Sequence, residues 1–371
     1  MKKHEKHAKL SRRNFGTIAP FELAVLGTKC SAIKELVKGV SEMLNSKFRI
    51  AYADASHDPT GDAPDFDSNT FHDAGELVSQ SAYFMNPYTD RLKFSNYDLV
   101  FINGNHFQGN RQILILDPEK ESSVRKRIEQ LDHIDFMVKL NEKAEIFDVV
   151  LQKYPEAADL KVYSIEDIAG ISAHIAALIK SNQAPLSGLV LAGGQSTRMG
   201  KDKGLLDYFG KSQRLYSMEM LERLGLRTYL SVRKEQNLNR DDIIEDSFLG
   251  LGPFGAICSA FQKDPNTAWL VLATDVPFAD EGLISRLILN RDPSKIATAI
   301  KGKDKKFPEP LIAIWEPKAY PVLLQFLSLG ISCPRKVLIN SDVKIVEADD
   351  ELIVNVNTPE EFKEVKKNLI K

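Results

Sequence analysis

Short apolar runs rich in β-branched residues alternate with longer segments of helical period along the chain, and that alternation leaves few architectures open. FELAVLG from Phe21, FRIAYAD, YDLVFING and QILILD read as buried strands, with IKELVKGVSEML, VRKRIEQL and EIFDVVLQKY as helices. Strands joined in this way by helices form βαβ units and a mostly parallel sheet. IEDIAGISAHIAALIKS reads as a closing helix, and NQAPLSG, Asn182 to Gly188, as a polar, proline-containing joint. The pattern then restarts: GLVLAGG, RTYLSV, AWLVLATD, KIATAI and PLIAIW are strand candidates separated by helices. A chain of 371 residues exceeds what one core usually supports, so two α/β domains are expected, 18–183 and 184–371. Both halves begin strand, glycine loop, helix, but their later spacings differ, so they are not an internal repeat. The basic stretch MKKHEKHAKLSRRNF lacks the apolar core of a signal peptide, and residues 1–17 read as a disordered tail.

Composition removes several functions. A net charge of −2 favours neither nucleic acid nor an anionic membrane as partner. No apolar run approaches the length that spans a bilayer. Cys30, Cys258 and Cys333 are far apart and in no Cys-x-x-Cys pair, a reducing-compartment pattern without a disulfide framework or zinc site. A cytoplasmic protein is expected.

The first glycine loop, GTKCSAIK, can be laid on the phosphate-binding frame G-x-x-x-x-G-K-[ST]. Gly27 is in register, but Ala32 replaces the second glycine, Ile33 the lysine and Lys34 the hydroxyl residue. Both groups that handle charge are gone. Either Lys29 or Lys34 substitutes for the missing lysine, or the segment is a packing turn; the packing turn is the reading taken. Asp54, His57 and Asp58 downstream are metal-ligand types in one short stretch, against the simpler reading of a solvated loop.

The second loop, LAGGQSTRMGKDK from Leu191 to Lys203, keeps its chemistry. Gly193 and Gly194 allow close approach of backbone to a base and a phosphate. Arg198 and Lys203 add two cations suited to a triphosphate that loses pyrophosphate. Asp275 ends the buried run AWLVLATD, where ligand sites of open α/β sheets collect. Alone it would read as a helix cap, with Pro277 in the first turn, and Asn357 alone as an Asn turn before PEEFKEVKKNLIK. Their joint occurrence with the glycine loop favours a site.

These residues resemble the nucleotidyltransferases that include molybdenum cofactor guanylyltransferase, the MobA-like family, from Leu186 to Lys371. LAGGQSTRMGKDK matches the L-A-G-G-x-S-x-R-M-G-x-D-K signature throughout. IIEDSFLGLGPFGAI is similar to the V-x-D…G-P-L-x-G-I segment, LVLATDVPF to the C-D-x-P strand end, PEPLIAIW to Q-P-L-x-A-L-Y, and VNVNTPEEF to N-V-N-T-P-E-E. The resemblance implies a Rossmann-like nucleotide-diphospho-sugar transferase domain that moves GMP from GTP to molybdopterin cofactor and releases pyrophosphate. It puts Leu191, Ala192, Gly193, Gly194, Lys203, Asp246 and Asp275 on the nucleotide. Arg198, Lys203 and Asp275 are then catalytic, and Asp275 with Asn357 holds magnesium. GTP is expected because GTP-using members tend to read LAGG, and CTP-using relatives LAAG. Ala256 departs from a glycine of the pattern and would narrow the pocket. KGKDKKF, Lys301 to Phe307, is unusually basic and is either a solvated hairpin or a contact for an anionic acceptor.

The first half, Phe21 to Lys180, resembles the MobB adaptor proteins of molybdopterin-guanine dinucleotide synthesis. GTKCSAIKEL compares with GTKxSGKTTL, YDLVFINGNHF with DLVLVEGF, and VYSIEDIAGISAHIAALI with the final helix. This implies a P-loop-NTPase-like α/β domain with a degenerate P-loop and a docking role, toward molybdoenzymes or their chaperones. The alternatives for the whole chain are a transferase using CTP or a sugar-phosphate acceptor, or a non-catalytic nucleotide-sensing adaptor.

Overall fold

The computed structural model describes residues 10–55, 67–73, 77–80, 86–194, 203–236, 238 and 240–369. Phe15–Asn182 forms one compact unit, and Gln183–Lys371 with the segment up to Asn14 forms the other. Both are α/β. Among the described residues no helix is long and apolar enough to cross a membrane.

The first unit contains β1 (Glu22–Leu26), β2 (Ile50–Ala53), β3 (Ser68–Phe71), β4 (Leu77–Gln80), β5 (Leu99–Asn103), β6 (Gln112–Leu116), β7 (Ile134–Lys139) and β8 (Val162–Ser164). Six of them make one sheet, ordered β2-β5-β1-β6-β7-β8, with every neighbouring pair parallel. β1, β5 and β6 are buried along their whole length, because helices cover both faces of a parallel sheet and leave no solvent-facing register. The helix Cys30–Leu44 sends Ile33, Leu36, Val37, Val40 and Leu44 inward at the helical period. They meet Ile171, Ile175 and Ile179 of the closing helix Ile168–Ser181. VRKRIEQL and EIFDVVLQKY are helical over less than expected, Glu121–Lys126 and Asp148–Lys153. Pro155 ends the second, since the residue before a proline is pushed out of the helical region and Tyr154 sits at φ −128°.

The glycine loop after β1 is a packing turn. Gly27 has φ +100°, and a Cβ there would lie 2.2 Å from the Ile115 carbonyl oxygen. Ile33 is fully buried in the core while Lys34 is exposed, so neither P-loop charge position faces a common site. Lys29 pairs at 3.8 Å with Glu119 in solvent, a contact of little energy. The strand ends are closed by the chain's own polar groups. Thr28 donates to Asp117 at 2.7 Å, Asn105 Nδ2 to the Thr28 carbonyl at 2.9 Å, and Asn103 Nδ2 to Asp54 at 2.8 Å. Asp54 also accepts from Tyr52 at 2.9 Å and stands 3.7 Å from His106. His57 and Asp58, its expected companions, lie outside the described residues. Gly27→Ala should cost the first unit about 2–4 kcal/mol, from strain at positive φ plus a backbone clash, read as a lowered chemical-denaturation midpoint.

The second unit contains β9 (Leu186–Leu191), β10 (Arg227–Val232), β11 (Ile243–Glu245), β12 (Ala268–Ala273), β13 (Ala297–Gly302), β14 (Glu309–Trp315) and β15 (Val343–Ala348). The sheet order is β11-β10-β9-β12-β14-β13-β15, and only β14 runs antiparallel to its neighbours. The chain leaves β9 for β10 and β11 on one side and returns to pair β12 on the other. The carboxyl ends of β9 and β12 therefore flank the crevice where such sheets bind ligands. The core lies on both faces, with Leu270, Leu272 and Ile314 on one and Trp269, Val271 and Trp315 on the other.

The disordered tail expected for residues 1–17 is corrected over residues 11–17. The Glu22 carboxylate, buried inside β1, must find donors, and it accepts from Thr17 N at 2.6 Å, Ile18 N at 2.8 Å and Ala19 N at 3.0 Å. Ser11 Oγ donates to the Lys263 carbonyl at 2.9 Å, and Asn266 both accepts from Asn14 N and donates to the Arg12 carbonyl. Residues 1–9 lie outside the described set.

Candidate active site

A cavity of about 750 Å³ opens over the carboxyl ends of the parallel strands of the second unit. Its walls include Leu191, Ala192, Gly193 and Gly194 after β9, Arg233 after β10, Asp246 after β11, and Thr274 and Asp275 after β12. Lys203 and Asn357 complete it from farther along the chain. Of the residues singled out in the sequence, Leu191, Ala192, Gly193, Gly194, Lys203, Asp246, Asp275 and Asn357 share this one cavity; Arg198 lies outside the described residues. Ala256 lines the cavity and is buried, in keeping with a methyl group occupying part of it.

The turn after β9 is held by its neighbours. Ala192 N donates to the Ser231 carbonyl at 3.0 Å, Gln236 Nε2 to the Ala192 carbonyl at 2.9 Å, and Thr274 Oγ1 to the Leu191 carbonyl at 3.1 Å. Neither Gly193 nor Gly194 has a positive φ. A Cβ on Gly194 would meet no described atom within 4 Å, and one on Gly193 would come no nearer than 3.4 Å, at Arg233. Neither backbone strain nor packing against the described residues accounts for the glycine pair. The bare backbone faces the cavity.

One pole of the cavity carries Lys203, Asp275 and Asn357. Lys203 Nζ donates to Asn357 Oδ1 at 2.6 Å and stands 3.6 Å from Asp275 Oδ2. Asn357 reaches this place through two devices. Val356, buried beside Tyr208 and Val365, donates its N–H to the Asp275 carbonyl at 2.7 Å. Thr358 and Glu361 form a capping box on the helix Pro359–Leu369: Glu361 N donates to Thr358 Oγ1 at 3.3 Å, and Glu361 Oε2 accepts from the N–H of Asn357 at 2.6 Å and of Thr358 at 3.2 Å. Burial pushes the Asp275 carboxyl above its usual range, and the charge and hydrogen bond of Lys203 pull against that shift.

Asp275 Oδ1 is buried and has no hydrogen-bond partner among the described residues. An orphaned carboxylate oxygen is costly, and its open lone pairs suit a cation. Hard oxygen donors at this pole suit magnesium, which commonly takes one or two carboxylates and completes its shell with phosphate and water. Among the described residues no group of three or more His, Cys, Asp or Glu is set to hold a metal, so substrate oxygens would have to supply the rest. The Asn357 oxygen is already held by Lys203, so it is the less open of the two expected ligands.

The other pole carries Asp246, Ser231 and Arg233. Ser231 Oγ donates to Asp246 Oδ1 at 3.4 Å, and Arg233 Nε is buried without a partner among the described residues. Burial pushes the Asp246 carboxyl up to about 6; the Ser231 hydrogen bond and the Arg233 charge oppose the rise, and Glu235 adds to it. The folded-state value thus lies above that of an unfolded aspartate, about 3.9, so the folded protein binds this proton more tightly. Asp246 therefore contributes a stability that is full below about pH 4, declines toward about pH 6 and is absent above. Asp275 shifts in the same direction, so the check is differential: over that window the melting temperature of Asp246→Asn should fall less steeply than that of the wild type. Ser231 and Arg233 were not singled out from the sequence. The available signal was position, since Ser231 lies near the end of the predicted strand RTYLSV and Arg233 directly follows it.

Residues 188–344 match the family described as the MobA-like NTP transferase domain. The chain is similar to a molybdenum cofactor biosynthesis bifunctional protein of Synechocystis, 32% identical over 189 residues, which are 50% of this chain. The match spans about half, 54%, of that relative. A probable molybdenum cofactor guanylyltransferase of Bacillus subtilis is 30% identical over 197 residues, covering 49% of this chain and 96% of the relative. A solved structure titled molybdopterin-guanine dinucleotide biosynthesis protein A, from Archaeoglobus fulgidus, aligns at 24% identity and a TM-score of 0.42, over 49% of this chain and 97% of that one. With the match over residues 188–344 and the near-complete coverage of the Bacillus relative, the chain belongs to the MobA-like nucleotidyltransferase family.

Proposed function

We propose that the second unit transfers GMP from GTP to the phosphate of molybdopterin cofactor and releases pyrophosphate. The observation that carries this reading is the single cavity in which the orphaned Asp275 oxygen and the Lys203 ammonium stand opposite a bare glycine turn. In this reading the Gly193 and Gly194 amides and the Leu191–Ala192 backbone receive the base and the nearer phosphate, and Asp246 accepts from a ribose hydroxyl. Arg233, with an open Nε beside Asp246, adds a donor at that end. An oxygen of the acceptor phosphate attacks the α-phosphorus; the new P–O bond forms as the bond to the β-phosphate breaks, and pyrophosphate leaves. Lys203 neutralises the charge that builds on the leaving group, together with Arg198 by resemblance.

Asp275 would hold magnesium, with Asn357 as second oxygen once Lys203 releases it, and the ion supplies charge neutralisation at the α-phosphate. No covalent intermediate on the enzyme is required, since the acceptor phosphate is itself a nucleophile. Positioning and charge stabilisation supply the rate.

The test is pyrophosphate release from GTP, CTP, ATP and UTP in parallel, with molybdopterin as acceptor and magnesium present. Release from GTP well above the other three is expected. Preference for CTP would reassign the base, release only with a sugar phosphate would reassign the acceptor, and no release with any pair would leave a nucleotide-sensing adaptor.

A further inference from the structure

The geometry points to an acceptor platform on the β13–β14 hairpin, where Lys305, Lys306 and Phe307 receive a flat aromatic heterocycle that carries a phosphate. The inference rests on the transferase reading for its reaction, but the surface itself is argued from position and charge.

The sheet register fixes the place. β14 runs antiparallel to β12 with Ala313 opposite Val271, and Ala313 is also opposite Ala299 of β13, so Ala299 is level with Val271. Adjacent strands are about 4.8 Å apart, which puts β13 roughly two strand spacings to the side of β12. β13 runs in the same direction as β12, so Lys303, four residues past Ala299, comes level with Asp275, four past Val271, while the register of β14 shifts to set Glu309 opposite Ile300. The turn joining β13 to β14 therefore rises beyond Asp275 on the same edge of the sheet that carries the cavity. Leu311, four residues after Phe307, already lines the cavity wall, and four extended residues span at most about 13 Å.

The charges of the hairpin divide into two groups. Lys301 pairs with Glu347 at 3.5 Å and Lys303 with Asp349 at 2.8 Å, so the limb nearer β15 is neutralised by that strand and its end. Lys305 and Lys306 are exposed and have no ion-pair partner among the described residues, with Asp304 the one acidic side chain inside the turn. Phe307 is 40% exposed, and the Lys306 ammonium stands 5.2 Å from the centre of its ring. An exposed aromatic face beside two unpaired ammonium groups suits a π-system and an anion on one molecule, which neither a bare phosphate nor a neutral heterocycle would use in full. A solvated hairpin needs no aromatic side chain at its end. The nucleotide residues lie elsewhere, at the ends of β9, β10 and β11, so the two substrates would approach from opposite sides of Asp275.

The experiment uses the full-length protein and a fluorescent pterin monophosphate, followed by anisotropy, with the unphosphorylated pterin and inorganic phosphate as separate probes. The double replacement Lys305→Glu, Lys306→Glu should weaken the pterin monophosphate by roughly ten-fold or more, and Phe307→Ala by a similar factor, because each removes one of two contacts. Phe307→Ala should leave inorganic phosphate unaffected, and GTP affinity should be unchanged in every variant. Pterin monophosphate affinities within about two-fold of wild type in both variants would overturn the platform. Failure of the transferase reading is separable. A wild-type protein that binds pterin monophosphate through the hairpin but releases no pyrophosphate refutes the reaction and keeps the platform. An active enzyme whose hairpin variants keep the acceptor KM refutes the platform alone.

Discussion

Asp275→Ala should lower pyrophosphate release on the order of 10³-fold, because it removes the carboxylate at the end of β12 and the proposed anchor for the divalent ion. The fold should hardly notice. A carboxyl pushed above its usual range by burial, with one oxygen unpartnered, is a cost to the native state, and cost of this kind collects at functional sites. Against that gain stands Lys203, which loses a charge partner at 3.6 Å but keeps its bond to Asn357. The two nearly offset, so the melting temperature should move by no more than about 2–4 °C, the shift expected of about 1 kcal/mol in a unit of this size. Single-turnover pyrophosphate release beside calorimetry reads both quantities. Turnover near wild type with a normal melting temperature would remove Asp275 from the mechanism.

Lys203→Ala should cost about 10²–10³ in rate by a different route. Among the described residues the lysine is the charge that draws the Asp275 carboxyl down against burial, and it also holds the Asn357 oxygen in place. Its removal deletes a cation from the leaving-group side and lets the Asp275 carboxyl titrate at higher pH. The acid limb of kcat/KM against pH should therefore move upward in the variant, a displacement that loss of a pyrophosphate contact alone would not produce. Lys203→Arg keeps the charge and should restore the position of the limb, with rate lost to a changed geometry. An acid limb that stays where the wild type has it would separate Lys203 from Asp275.

Much of this site was legible because its parts are local. GLVLAGG and AWLVLATD are uninterrupted apolar runs, the pattern of strands buried on both faces, and each ends in the residue that lines the cavity. The direction of β14 was not legible, since PLIAIW has the same pattern whichever way the strand runs. β11 and β15 lie at the two edges of their sheet, one three residues long and the other alternating between buried and exposed, so neither makes an apolar run. The link from Lys203 to Asn357 spans 154 residues and depends on Val356 docking against Asp275, which no window of sequence contains. Glu22 teaches the converse. A lone acid inside an apolar strand looks like a flaw, yet its carboxylate is what orders the turn from Thr17 to Ala19, and that contact ends the expected tail early. In the first unit the decay of the glycine loop was plain in Ala32, Ile33 and Lys34. That the strand ends would be filled by Asn103, Asn105 and His106 needed the fold.

The most direct measurement is a crystal of the full-length chain soaked with GTP and manganese, the metal located by its anomalous signal. The account predicts one peak within about 2.2 Å of Asp275 Oδ1, bridging to the α-phosphate, with the base against the Leu191–Gly194 turn. Triphosphate bound with its metal away from Asp275, or nucleotide found only in the first unit, would contradict it.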